Sequence, residues 1–99
     1  MTFALSVRPD AEAEIDEASR WYEADDPEVG QDFLRAVDEA LALIKGNPYQ
    51  YQIAHNDKRR ARLRRFPYRL IYAISGQDVV VLACVHGRRD PKVWEDRTS

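Results

Sequence analysis

A chain of 99 residues suits one compact domain, since about two thirds of the unfolded surface can be buried at this length and no second core fits. With 44% hydrophobic and 32% charged residues the composition is globular and excludes general disorder. The N-terminus lacks the basic start and apolar run of a signal peptide, and the longest unbroken apolar run, Val79–Val85, is too short to span a bilayer, so the expectation is a cytoplasmic protein with no membrane partner.

The net charge of −2 hides a division. Residues 1–54 carry four Lys/Arg against twelve Asp/Glu, and residues 55–99 carry eleven against five, which gives −8 and +6. Such asymmetry predicts one surface that faces polyanions or acidic partners, the plainer reading being two solvated faces of opposite bias.

Phe3–Val7 alternates apolar and polar residues with the two-residue period of a half-buried strand. Pro9 then suits the first position of a helix, and Asp10, Glu12 and Glu14 place negative charge near its positive end. Ala11, Ile15, Ala18 and Tyr22 form one apolar stripe, which predicts a helix from about Pro9 to Ala24. Asp26-Pro27 repeats the start signal, Asp26 as N-cap, and Phe33, Leu34, Val37, Leu41 and Ile44 make a second stripe. Gly46-Asn47-Pro48 is the stop, with a left-handed cap expected there. The two helices should form an antiparallel hairpin.

After a loop over Tyr49–Asp57, Lys58–Arg65 holds six basic residues and is read as a strand, Ala61 and Leu63 on its buried face and Arg60, Arg62 and Arg64 on a cationic one. Pro67 lacks an amide donor and places Phe66-Pro67 at a turn or sheet edge. Tyr68–Ile74 and Val79–Val85 are β-branched and aromatic, and Ser75-Gly76-Gln77-Asp78 supplies the turn between them. The expected fold is α+β: an N-terminal strand, the helical hairpin, a three-stranded antiparallel sheet and a short C-terminal tail, all in one domain over residues 1–99.

His55 and His86 are far apart and neither lies in a metal-ligand spacing, so no metal site and no cofactor are expected. Cys84 sits inside an apolar run and reads as a core thiol in a reducing compartment, and no Gly-rich elbow surrounds any serine. The remaining constellation is cationic and aromatic: Arg62, Arg64, Tyr68, Arg69, His86, Arg88, Arg89 and Trp94. Arginine forks hold phosphates or carboxylates, and an adjacent ring can stack on a base, so RNA, DNA and an acidic protein all remain candidates. The structural alternative is that Arg69 and Arg88 pin the tail to the sheet.

Phe66-Pro67-Tyr68-Arg69, the two strands that follow, His86-Gly87-Arg88-Arg89-Asp90-Pro91 and Trp94 together resemble the RelE/ParE family of toxins from type II toxin–antitoxin (plasmid stabilisation) systems. The resemblance covers nearly the whole chain, with specific motifs in its last third and one departure at Arg8, where such toxins often place a Ser or Thr cap. It implies one of two toxic activities. A RelE-like member would be a ribosome-dependent mRNA endoribonuclease (mRNA interferase), with Arg69 and Arg89 stabilising phosphate. The tyrosine expected near the C-terminus falls at Trp94, whose indole donates a hydrogen bond but cannot shuttle a proton, which leaves His86 as the acid/base candidate.

A ParE-like member would instead be a DNA gyrase inhibitor that causes growth arrest by binding, with Arg62, Arg64, Tyr68, Arg88, Arg89 and Trp94 as target contacts. The turn and tail motifs look closer to this branch. Both branches imply a cognate antitoxin, in a heterotetramer or larger complex, docked on the helical hairpin and the exposed sheet. Trp21, beside the stripe residue Tyr22, is a candidate antitoxin contact, its plainer role being a partly exposed core tryptophan. A third reading is a non-toxic protein-interaction domain of the same fold.

Overall fold

The structure is a computed structural model that describes residues 2–98. In chain order it has β1 (Ala4–Val7), α1 (Pro9–Asp25), α2 (Pro27–Gly46), a single 3-10 turn Pro48–Gln50, β2 (Ile53–His55), β3 (Lys58–Arg62), β4 (Tyr68–Ser75), β5 (Asp78–His86) and a second 3-10 turn Pro91–Val93. The five strands form one sheet in the order β1-β5-β4-β3-β2. β1 runs parallel to β5 and the remaining pairs are antiparallel, so the sheet is mixed.

Both helices begin at proline, as the sequence predicts. Arg8 caps α1 without a side-chain hydrogen bond. The Asp26 carboxylate accepts from the Glu28 N–H at 2.9 Å, which satisfies one of the free amides that open α2. Asp26 alone separates the helices, and Gly30 lets them close: a Cβ there would lie 2.9 Å from Glu23 Cβ and 3.1 Å from the Ser19 carbonyl oxygen. The left-handed cap expected after α2 is absent, because Asn47 has φ −156° and ψ 87° and its side chain accepts from Tyr49 N–H to start the next turn.

The main core fills the space between the helices and one face of the sheet, with Phe33, Ile44, Leu70, Tyr72, Val79 and Val81 fully buried. The Tyr72 hydroxyl donates to the Pro48 carbonyl at 2.6 Å, which ties the sheet to the end of α2.

Two further sequence expectations need correction. The segment Tyr49–Asp57 is not a plain loop: Ile53–His55 pairs with β3 through the two-residue turn Asn56-Asp57, Asn56 taking φ +51° as asparagine tolerates. The expected three antiparallel strands and the N-terminal strand are all present, and β2 and the parallel pairing of β1 make the sheet a five-stranded mixed one. The strand expected over Lys58–Arg65 ends at Arg62, because the chain bends away and Arg65 adopts φ +69°, outside any strand conformation.

β1 covers β5 only as far as Val81. Beyond it the edge of β5 has no neighbouring strand, and side chains take its place. Cys84 N–H donates to Glu14 Oε1 at 3.0 Å, and the Leu82 carbonyl accepts from Arg97 Nη1 at 3.0 Å. Glu14 and Arg97 also join each other at 2.8 and 3.2 Å, so one ion pair satisfies a donor and an acceptor that a strand would otherwise hold.

The tail that carries Arg97 crosses the far face of the sheet. Trp94 packs there on Ile71, Ala83 and Val85, with Ala54 beside them, which gives the sheet a small second core.

Candidate cationic site

The Phe66-Pro67-Tyr68-Arg69 turn is held by aromatic packing on one side and by backbone bonds on the other. Phe66 and Tyr68 meet Phe33 edge-on with centroids 5.3 Å away, and Tyr22 stacks on Phe33 at 5.5 Å. Tyr68 continues the series to the His86 ring at 5.4 Å. Gly87 N–H donates to the Pro67 carbonyl at 2.7 Å, and Leu63 N–H to the Tyr68 carbonyl at 3.0 Å. Rigid contacts on both flanks fix where Arg69 leaves the sheet.

Two hollows open at this end of the molecule. The first, about 540 Å³, lies on the far face of the sheet and is lined by Arg62, Arg65, Arg69, Arg88, His86 and the Phe66-Pro67-Tyr68 turn. Arg62 and Arg69 stand opposite each other in the β3–β4 register. Burial first, then repulsion from Arg60 and Arg62, lowers the pKa of Arg69 from its ordinary value; an arginine so placed is still a cation at neutral pH. The second hollow, about 770 Å³, lies between α1 and the end of β5, and Trp21, Tyr22, Tyr68, His86, Arg89 and Glu17 are among its lining residues.

The structure thus brings Arg62, Arg69 and Arg88 together and sends Arg89 to the other side of the His86 wall. Arg69 and Arg89, paired on one phosphate in the nuclease expectation, line different hollows. The His86 Nδ1 accepts from the Arg88 backbone N–H at 3.1 Å, which leaves Nε2 to carry the ring proton of the neutral form. That tautomer presents an Nε2–H donor to the hollow while Nδ1 is tied to the turn.

Arg64 does not share the cationic face. Because the strand period stops at Arg62, Arg64 reaches α2 and lies 3.5 Å from Glu39. Trp94 is also misplaced as a target contact: it is 5% exposed, and its ring covers the second core rather than meeting a partner. Trp21, by contrast, is 70% exposed and edge-on to Tyr22 at 5.0 Å, an open apolar ring at the mouth of the second hollow.

Neither Arg69 nor Arg88 pins the tail; Arg97 does, a role the sequence reading did not give it. The available signal was Glu14, which falls three residues after Ala11 and four before Ala18 and so puts a carboxylate inside the apolar stripe of α1. Arg65, which also lines the first hollow, was hidden in a run of basic residues. Burial, with Glu14 adding to it, pushes the Cys84 thiol up to about 12, so this cysteine is no nucleophile. Among the described residues no three His, Cys, Asp or Glu side chains gather as a metal site would require, and no helix is long and apolar enough to cross a membrane.

The fold is shared with a solved structure entitled "Chromosomal ParDE TA system from P. aeruginosa", at a TM-score of 0.75 and 17% identity over 86% of this chain and 96% of that one. No curated protein matches. The sequence matches the family described as "ParE toxin of type II toxin-antitoxin system, parDE" over residues 5–91, a span that takes in both helices, β2 to β5, all but the first residue of β1, and the arginines of both hollows. The chain accordingly belongs to the ParE toxin family of type II toxin–antitoxin systems.

Proposed function

We propose that this chain is the toxin of a parDE-type module, that it arrests growth by binding DNA gyrase in the cytoplasm, and that a cognate antitoxin neutralises it in a heterotetramer or larger complex. The family match over residues 5–91 carries this reading. The site supports binding over catalysis, since the His86 Nδ1 is engaged and Arg69 and Arg89 do not line one hollow. Arg62, Arg69, Arg88 and Arg89 line the two hollows as candidate target contacts, with Tyr68 between them as a lining residue of both. The antitoxin docks on the helical hairpin at the second hollow, where Trp21, Tyr22 and Tyr68 offer an apolar floor to an amphipathic segment.

The test is expression from a tight promoter without the partner, with plasmid supercoiling, DNA breaks and mRNA integrity followed in the same cells. Gyrase-type DNA damage with intact messages is the expected result. Early mRNA cuts would favour the endoribonuclease, and unchanged growth a non-toxic interaction domain. Arg69→Ala combined with Arg89→Ala should abolish arrest; retained toxicity would remove the cationic residues from the mechanism.

A further inference from the structure

The far face of the sheet is divided in two. Trp94 and the tail cover its apolar part, while the ends of β3, β4 and β5 stay open and carry Arg62, Arg69 and Arg88 around the first hollow. None of these three guanidiniums has a carboxylate within 4.0 Å among the described residues, although the chain holds 17 Asp and Glu. Their neighbour Arg65 has one at 3.9 Å, from Asp32. Arg97 shows what a purely structural arginine receives in this fold: a two-oxygen carboxylate and a carbonyl.

Arg69 is the extreme case. It is half-buried, the charges that act on it are those of Arg60 and Arg62, and its Nε and Nη2 lie beside the bare Cα of Gly87, where a Cβ would come within 3.5 and 3.6 Å of them. A guanidinium partly withdrawn from water beside like charges destabilises the empty fold. That cost is offset when an anion enters.

We propose that this hollow is an oxyanion site for the phosphates of a polynucleotide backbone, with Arg69 at its centre and Arg62 and Arg88 at its sides. Arginine forks match phosphate oxygens two at a time. The aromatic rim favours a nucleic acid over an acidic peptide, because a base has a face to stack and a carboxylate side chain does not. Phe66 and the Tyr68–His86 pair stand at the rim, where a base can stack. The site would let a toxin bound to a protein target also hold the nucleic acid that the target carries, but it is defined without reference to that target.

The test is fluorescence anisotropy of a labelled, mixed-sequence single-stranded DNA with the purified full chain, across a salt series. Three phosphate contacts give a slope of log K against log salt near −2, at about −0.7 per contact. Arg62→Gln, Arg69→Gln and Arg88→Gln should each flatten the slope by about 0.7 and weaken binding roughly fivefold at 0.1 M salt. Arg69→Lys should keep the slope and lose affinity, and Arg35→Gln, on α2 and paired with Asp32, should change nothing. The DNA should raise the melting temperature of the wild type and not that of the triple glutamine variant, which also shows that the variant is folded. An unchanged slope in the triple variant would overturn the proposal. So would displacement of the DNA by polyglutamate of equal charge at equal concentration, which would make this a carboxylate site. Gyrase is absent from the assay, so failure of the proposed toxic mechanism leaves the result readable.

Discussion

Glu14→Ala should be the most damaging change to a polar side chain in the fold. The carboxylate accepts from Arg97 at 2.8 and 3.2 Å and from the Cys84 N–H at 3.0 Å, and its side chain and that of Arg97 are 21% and 22% exposed. Alanine leaves a largely covered backbone donor without a partner, at about 1–3 kcal/mol. It also breaks an ion pair that lies between the exposed class, worth up to about 1 kcal/mol, and the buried class, at about 3–5 kcal/mol. Arg97 can swing into water, so the lower part of that interval applies, and the sum is about 3 kcal/mol.

For a domain of this length that loss corresponds to about 12–24 °C in Tm, at about 4–8 °C per kcal/mol. Glu14→Gln, which keeps an oxygen for Cys84 and removes the charge, should lose about half as much. Chemical and thermal denaturation of Glu14→Ala, Arg97→Ala and the double variant would measure the coupling, expected at about 1–2 kcal/mol. A Glu14→Ala loss below about 0.5 kcal/mol, the range of ordinary surface substitutions, would refute the view that this pair stands in for a strand.

Gly30→Ala should destabilise by about 1–2 kcal/mol in urea titration, because overpacking against Glu23 and the Ser19 carbonyl outweighs the helix propensity gained. Trp94→Ala should cost about 3–5 kcal/mol as a core truncation, while Trp21→Ala should stay within about 0.5 kcal/mol in the same assay and weaken antitoxin binding measured by calorimetry. Burial raises the Cys84 thiol from 9.0 and the Tyr72 phenol from 10.0 to about 12 each. These groups ionise sooner in the unfolded chain, so their contribution is complete below about pH 9 and is lost as pH rises toward 12, by up to about 1.4 kcal/mol per unit and group. Cys84→Ala should flatten the part of that decline that begins near pH 9, as read by denaturation at stepped pH.

The sequence made the helical hairpin legible because its signals are local: Pro9 and Pro27 at helix starts, the Asp26 cap, and two apolar stripes. The β4–β5 hairpin was equally plain, since Gly76 supplies φ +61° at the first position of a two-residue turn. β2 escaped because its three residues are too few to show a period, and Arg64 was assigned to the wrong face because periodicity cannot report the bend after Arg62. The site was legible as composition and not as geometry. Nothing local says that neighbours Arg88 and Arg89 diverge to two hollows, or that Arg97 meets a carboxylate 83 residues away. Trp94 had a usable signal: β4 and β5 are apolar on both faces, which calls for a cover on the side away from the helices.

The parallel ladder between β1 and β5 joins the first strand of the chain to the last, Ala4 opposite Asp78. During synthesis, therefore, β1 waits for its neighbour until some 74 further residues have been made, and the Glu14–Arg97 pair closes later still. At about 5–20 residues per second that delay is several seconds. Until then the apolar sides of both helices lack the strands they cover, and Arg69 and Arg88, set by the β4–β5 register and the turn beyond it, have no fixed relation to each other. A chain cut short before β5 keeps the β3–β4 ladder that sets Arg62 against Arg69, but it lacks the strand and turn that bring His86, Arg88 and Arg89 to them. Assembly of the harmful surface is consequently a late event, which gives a partner made nearby a head start.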